Sequence, residues 1–404
     1  MPMLRAGSLA FTLLLGGLTA MTAFATDMSL PALPTLSRIF AAPPDSVQLT
    51  LSLFVLGYGG GQLFYGPLSD RFGRRPLLLA GLALYALCGF ACALAPSIHL
   101  LIAARLLQGV GGCVGPILGR AIIRDHYSGV RAAQMLSYVM LVFAVAPMVA
   151  PLLGGVLLDL FGWRAIFVAF GVFGVTLLLV TWYGFAESLA LPDSRALEFA
   201  RLLAKARRFF GSRHCVGYML INSFIFAGLF AFISGSPFVY IEVYGVPADR
   251  FGLYFAGSAL GIVLGALANG RLVRRRPPER VLRFGLALLV AAGGAMLLAG
   301  LAGGGRPLWL TLAMLAYVAA QGLCMPNAIA AAMEPLPDMA GLGASFLGAM
   351  QMLGGSLAGY AVNALYDGTP RPMAAIIAAM AAAAFLSYHL ALPGISLTGG
   401  AARR

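Results

Sequence analysis

Two ionisable side chains, Asp27 and Arg105, lie inside stretches that are otherwise apolar. A carboxyl and a guanidinium placed in hydrocarbon usually mark function, because keeping an Asp at the centre of a membrane helix costs about 2.5 to 3.5 kcal/mol. That cost falls on the charged form, so Asp27 is expected to load and release a proton while Arg105 responds to its charge. The plainer alternative is a static ion pair that fixes two helices. A proton cycle requires the two groups to be coupled in one state and separated, or bridged by water, in another. On this reading Asp27→Asn abolishes the cycle and Arg105→Ala is similarly damaging, whereas Arg105→Lys retains part of the function.

The elements that position these groups are apolar segments of about 20 residues, the length a helix needs to cross roughly 30 Å of hydrocarbon. Hydrophobic residues make up 60% of the 404-residue chain and charged residues only 10%, against about 45 to 50% and 25% in globular proteins. This is the composition of an integral membrane protein. The net charge of +13 would suggest nucleic acid binding in a soluble chain, but here the basic residues sit in short turns between apolar runs, which excludes that class. Cys88, Cys92, Cys113, Cys215 and Cys324 form no CxxC pair, and His99, His126, His214 and His389 are scattered. No metal site or cofactor is therefore expected. The chain has no HExxH, GxSxG or GxxxxGKS motif, so neither an enzyme nor an ATP-driven pump is expected.

Twelve spans are predicted, at 8–30, 48–68, 77–95, 99–120, 134–157, 163–185, 215–239, 250–270, 281–301, 308–331, 341–364 and 373–392. Arg5 before an apolar run that ends Ala23-Phe24-Ala25 resembles a cleavable signal. The run from 9 to 25 is longer than a signal core, and cleavage would remove the segment that carries Asp27. Of the 27 Lys and Arg residues, only Arg38, Arg164, Arg250, Arg306 and Arg371 fall on the side opposite the termini, and Arg105 lies within a span. Both termini are expected to be cytoplasmic.

The longest polar interruption divides the chain into a six-span bundle at 1–186, a basic cytoplasmic linker at 187–213 and a second six-span bundle at 214–404. Arg201, Lys205, Arg207 and Arg208 among Leu202, Leu203, Phe209 and Phe210 suit a helix lying along the inner leaflet. Laid on the first half, the second places Arg271, Arg274 and Arg275 over Arg71, Arg74 and Arg75. Duplicated halves with a path between them are a common transporter plan.

Residues 66–76, GPLSDRFGRRP, place Asp70, Arg71, Arg74 and Arg75 in a turn between the second and third spans. Asp70 can pair there with an arginine or meet the positive end of a neighbouring helix, and Gly73 lets the chain bend. Alternatively, the arginines merely anchor the turn on one side. Span 5 carries Pro147, Pro151, Gly154 and Gly155, which read either as a hinge or seal between halves or as ordinary membrane-helix composition. Gly111, Gly115 and Gly119 give span 4 a small-residue packing face.

These motifs resemble those of the major facilitator superfamily: Gly66, Leu68, Asp70, Arg71, Gly73, Arg74 and Arg75 match its GxLxDRxGRR turn, and Arg105, Gln108 and Gly109 match its RxxQG element. APMVAPLLGG in span 5 is similar to the element of its drug/proton antiporters. TDMSLPALP at 26–34 and SPFVYIEVYGV at 236–246 are similar to the bicyclomycin-resistance (Bcr/CflA) branch. The resemblance implies an all-α membrane protein of two pseudo-symmetric six-helix bundles. It also implies a monomer in the bacterial inner membrane that exchanges protons for a small-molecule drug. Asp27 and Arg105 would couple the protons, and residues 66–75 would act as a conformational switch.

Export of an endogenous metabolite, with incidental drug efflux, is the alternative; a proton symporter and a structural or sensory membrane protein are further ones. Thr19, two turns before Asp27, stands where some related exporters carry a second acid, which favours neutral or zwitterionic substrates. Tyr58, Gln62, Tyr138, Asn222, Gln321, Asn327 and Gln351 are candidates to line a cavity, although helix packing accounts for each individually.

Overall fold

The structure, a computed structural model, describes residues 4, 7–302, 306–336 and 339–391; both ends of the chain, expected to be cytoplasmic, lie outside the described residues. Among the described residues, eleven apolar helices are long enough to cross a bilayer: span 1 (Leu9–Ile39), span 2 (Pro44–Phe72), span 3 (Arg74–Ala93), span 4 (Ile98–His126), span 5 (Gly129–Phe161), span 6 (Trp163–Gly184), span 7 (Arg213–Val243), span 8 (Ala248–Leu272), span 9 (Pro278–Leu301), span 10 (Pro307–Met333) and span 12 (Arg371–Leu390). Span 11 (Ala340–Ala364) has the same length, but glycines, Ser345, Gln351 and Ser356 dilute its apolar character. Exposed side chains such as Leu87 and Leu298 form an outward apolar surface that suits lipid rather than water.

The packing repeats between halves. In the first half span 1 packs on spans 4, 5 and 6, span 2 on span 4, and span 3 on spans 4 and 6; in the second, span 7 packs on spans 10, 11 and 12, span 8 on span 10, and span 9 on spans 10 and 12. The halves meet through two equivalent pairs, span 2 with span 11 and span 5 with span 8. Ser356 of span 11 donates to the Ser52 carbonyl of span 2 at 2.9 Å, and Gln48 of span 2 donates to Ser234 of span 7. These contacts close the end of the molecule opposite the linker.

Several boundaries differ from the sequence expectation for one reason: an apolar window stops at the first charge, whereas a helix stops where its backbone bonds are broken or capped. Span 1 continues past position 30 to Ile39, which places Asp27 well inside the span rather than near its end. The charged segment 66–76 is not an extended turn. Span 2 stays helical through Phe72, span 3 starts at Arg74, and Gly73 alone, at φ 97°, makes the bend. Within the linker, a helix at Phe199–Phe210 docks Phe209 and Phe210 against Phe346 of span 11. Its apolar face thus covers protein, where the sequence suggested lipid.

Candidate functional site

Asp27 is the last residue of the first helical segment of span 1, Leu9–Asp27. Proline explains the break: Pro31 lacks an N–H and its ring collides with the carbonyl four residues earlier, that of Asp27 itself. A tight turn at Leu30–Ala32 and a short helix at Leu33–Ile39 follow. Hydroxyls take over the interrupted backbone bonding. Ser29 donates to the Thr26 carbonyl at 2.8 Å, while the Thr26 hydroxyl lies 3.0 Å from the Thr22 carbonyl and 3.0 Å from Asp27 Oδ1. Asp27 is only 4% exposed. A hydroxyl both donates and accepts, so Thr26 can serve the carboxyl whether or not it carries a proton.

Arg105, 1% exposed, is held by three separate nitrogens. Nε donates to the Thr50 carbonyl of span 2 at 3.2 Å, Nη1 to Gln108 Oε1 at 2.7 Å and Nη2 to the Ala25 carbonyl of span 1 at 2.8 Å. The guanidinium lies over the Phe54 ring at 4.3 Å, with Phe167 and Phe170 of span 6 at 5.9 and 5.7 Å, an arrangement that stabilises a desolvated cation. No salt bridge joins it to Asp27. Instead, Arg105 grips the backbone two residues before the carboxyl, so spans 1, 2, 4 and 6 meet around one cation beside one acid. Gln108 serves as its acceptor, and Gly109 packs against the Phe54 carbonyl, which brings spans 2 and 4 close enough for this network.

Span 5 touches the same break. Its helix runs through Pro147 and Pro151, and the following glycines face two ways: a Cβ on Gly154 would collide with the Met28 carbonyl, and one on Gly155 would stand 2.8 Å from the Ala248 carbonyl of span 8. One glycine contacts the residue after Asp27 and the other contacts the opposite half. Gly154→Ala is expected to force spans 1 and 5 apart at a cost of about 1 to 3 kcal/mol. Thermal unfolding of the purified protein would show this as a lower midpoint, together with reduced flux.

At the linker end, Arg74 Nη1 donates to Asp70 Oδ1 and to Ser69 Oγ, each at 2.6 Å, and Nε donates to Asp125 Oδ2 of span 4 at 3.1 Å. Glu187, 113 residues along the chain, caps span 3 by accepting from the backbone N–H groups of Arg74 at 2.9 Å and Arg75 at 3.0 Å. Partial burial disfavours the Glu187 charge, but the N–H groups of Leu189, Arg74, Arg75 and Ser188 outweigh it and hold the carboxyl below the usual glutamate value. The cap therefore stays charged at neutral pH, and its contribution is lost only as pH falls through that lowered value. Arg75 also donates to the Trp182 carbonyl at 2.8 Å, Arg71 lies 5.4 Å from the Phe72 ring, and the Asp193 N–H of the linker bonds the Asp70 carbonyl at 2.9 Å. Gly66 and Asp70 face a cavity of about 470 Å³ between the halves.

The cavity candidates do not converge. Gln62 lines this cavity against Gly348 of span 11, and Tyr58 is buried one turn away on the same helix. Tyr138 is largely exposed on span 5. In the second half, Asn327 donates to Asn269 Oδ1 at 2.8 Å, joining spans 10 and 8, and Gln321 donates to Met325 Sδ at 3.0 Å. Asn222 is fully buried, with no hydrogen-bond partner for its amide among the described residues, and Gln351 Nε2 likewise has none. Sequence reasoning missed Thr26, Asp125 and Glu187. The only signal for the two acids was a carboxylate close to the end of an apolar run.

A family model described as Major Facilitator Superfamily matches residues 15–359. A bicyclomycin resistance protein homolog of Haemophilus influenzae is 32% identical over 94% of this chain and 95% of its own length. Multidrug resistance protein D of Escherichia coli is 30% identical over 87% and 88%. Among solved structures, a D-xylose-proton symporter superposes with a TM-score of 0.77 at 16% identity, covering 96% of this chain and 98% of its own.

Proposed function

Because this chain belongs to the major facilitator superfamily, in its bicyclomycin-resistance branch, we propose that it exports drugs or small amphipathic molecules from the cytoplasm across the bacterial inner membrane in exchange for protons. The observation that carries this reading is Asp27. It is a buried carboxyl at a helix break, served by one hydroxyl, unpaired with the cation held beside it and adjacent in sequence to Met28, which packs against Gly154 of span 5, the helix whose next residue, Gly155, contacts the opposite half.

A carboxyl in such surroundings can hold a proton while the site is closed and release it when water or a cation reaches it. Spans 1, 4 and 5 share that site with an interface between halves, so a change in charge at Asp27 bears directly on how the halves pack. Bundles at 1–186 and 214–404 then rock about the site, joined by the linker at 187–213. The Asp70–Arg74–Asp125 cluster and the Glu187 cap tie spans 2, 3 and 4 to the start of the linker, and with Asp70 on the wall of the cavity between the halves this cluster is placed to act as the conformational switch. Both termini lie on the cytoplasmic side, and the monomer is the working unit.

The similarity to bicyclomycin-resistance and multidrug-resistance proteins supports a drug as cargo, and an endogenous metabolite would use the same machinery. Expression in an efflux-deficient bacterium tests the assignment. Tolerance of bicyclomycin-like compounds, phenicols, sulfonamides or dyes is expected to rise, and to fall back when the proton gradient is collapsed. A host with unchanged susceptibility to the whole panel, and vesicles that move no compound after a pH jump, would reject it.

A further inference from the structure

The cavity at the linker end has a charge imbalance. Its wall carries Arg74, Arg120, Arg124, Arg195, Arg201 and Lys205 but, among the described residues, only Asp70 and Asp193 as acids. Those acids are already engaged: Asp70 with Arg74 at 2.6 Å, and Asp193 with Arg201 at 3.5 Å. Asp125, at the edge of the same cluster, is also taken by Arg74 at 3.1 Å. Arg120, Arg124, Arg195 and Lys205 are left facing the cavity with no carboxylate partner among the described residues.

A cytoplasmic excess of arginine in loops follows from membrane topology alone, but topology does not direct those side chains into a cleft between the halves. Arg120 is the telling case. It lies well inside span 4, six residues before the end of the helix at His126, with Arg124 one turn further out on the same face. Its Nε is folded back onto the Pro116 carbonyl at 3.1 Å, which fixes the guanidinium against the wall and leaves its Nη groups for the cavity. Ile117, Ala121, Leu136 and Leu342 give the same cavity an apolar surface, and Gln62 adds a polar amide.

We propose that this vestibule receives the acidic group of an amphipathic substrate, which Arg124 and Arg120 take in succession while its apolar part lies against Leu136 and Leu342. The inference rests on the exporter reading and names its substrate class: small amphipathic anions rather than lipophilic cations. A cleft of one sign concentrates ligands of the other and speeds their capture, and guanidinium groups suit carboxylates and phosphates through paired donors.

The test is direct binding to the full-length protein in nanodiscs of phosphatidylcholine, followed by fluorescence anisotropy. The probes are fluorescein and rhodamine 123, which share a ring frame and differ in the sign of their charge. Fluorescein is expected to bind about tenfold more tightly than rhodamine 123, a preference that shrinks as salt rises from about 50 to about 500 mM. The double variant R120Q/R124Q is expected to lose about tenfold in fluorescein affinity with rhodamine 123 binding unchanged or tighter. Should that variant fail to fold, Lys205→Gln on the linker helix is expected to weaken fluorescein binding severalfold.

Equal affinities, a preference for the cation, or variants that leave both dyes unaffected would overturn the proposal. So would fluorescein binding that vanishes on adding phosphatidylglycerol, which would identify a lipid headgroup as the occupant. Dye flux after a pH jump separates the two readings. Proton-driven flux without anion preference removes only the substrate class, whereas anion binding with no driven flux of either dye removes the exporter reading.

Discussion

Asp27→Asn is expected to lower pH-driven transport roughly a hundredfold, the upper range of a typical coupling free energy between two sites, while leaving insertion and thermal stability close to those of the parent protein. Asparagine has the shape of aspartate and carries a carbonyl that the Thr26 hydroxyl, 3.0 Å from Asp27 Oδ1, can still meet. It removes no apolar contact, and a neutral amide is cheaper to bury than a carboxylate. What it cannot do is exchange a proton. Flux in proteoliposomes after a pH jump, beside a melting curve of the same preparation, separates these effects. Proton-driven flux at the parental level in the Asn variant would remove Asp27 from the coupling scheme. A variant that fails to insert would instead assign the residue a structural role.

Arg105→Lys is expected to lose about tenfold or more in flux and to lower the unfolding midpoint, so the part of the function it retains is small. From sequence, Arg105 is one positive charge responding to another group, and an ammonium would supply that. The structure shows a planar fork whose Nε, Nη1 and Nη2 reach the Thr50 carbonyl, the Gln108 amide and the Ala25 carbonyl, three acceptors on spans 2, 4 and 1. One ammonium nitrogen cannot span them, and it loses the stacking on Phe54 at 4.3 Å. Each buried acceptor left without a donor costs about 1 to 3 kcal/mol. Flux and stability are therefore expected to fall together in Arg105→Lys, whereas Asp27→Asn separates them. If Arg105→Lys transports like the parent protein, the three-way clamp is not what couples span 1 to span 4.

The positions of these groups along the chain were legible because their types are improbable where they stand. An Asp and an Arg in hydrocarbon, four charges at residues 70–75 and a Pro–Gly run in span 5 are conspicuous against a 60% hydrophobic background. Their partners were not. Glu187 and Asp125 look like ordinary surface acids in the sequence, and only folding brings Glu187 back to cap span 3 and Asp125 to Arg74. The reading of Gly154 and Gly155 as a seal named the residues but not their targets, Met28 and Ala248. The linker helix was readable as amphipathic, yet the aromatic cluster with Phe346 that receives its apolar side carries no local signature.

By itself the sequence determined that this chain crosses a membrane many times, in two related halves, and that an acid and a base lie within it. Hydrophobic length and charge placement are local properties, and the bilayer acts on them one segment at a time. Tertiary structure alone decided that Asp27 sits at a proline-made break, that Arg105 ties three helices together, and that four cations without a carboxylate partner among the described residues line one cavity. Those outcomes depend on which helices approach closely enough for backbone carbonyls and side chains far apart in the chain to meet. Glycine contacts and long-range hydrogen bonds set that approach, and neither can be read from the spacing of residues along one strand of sequence.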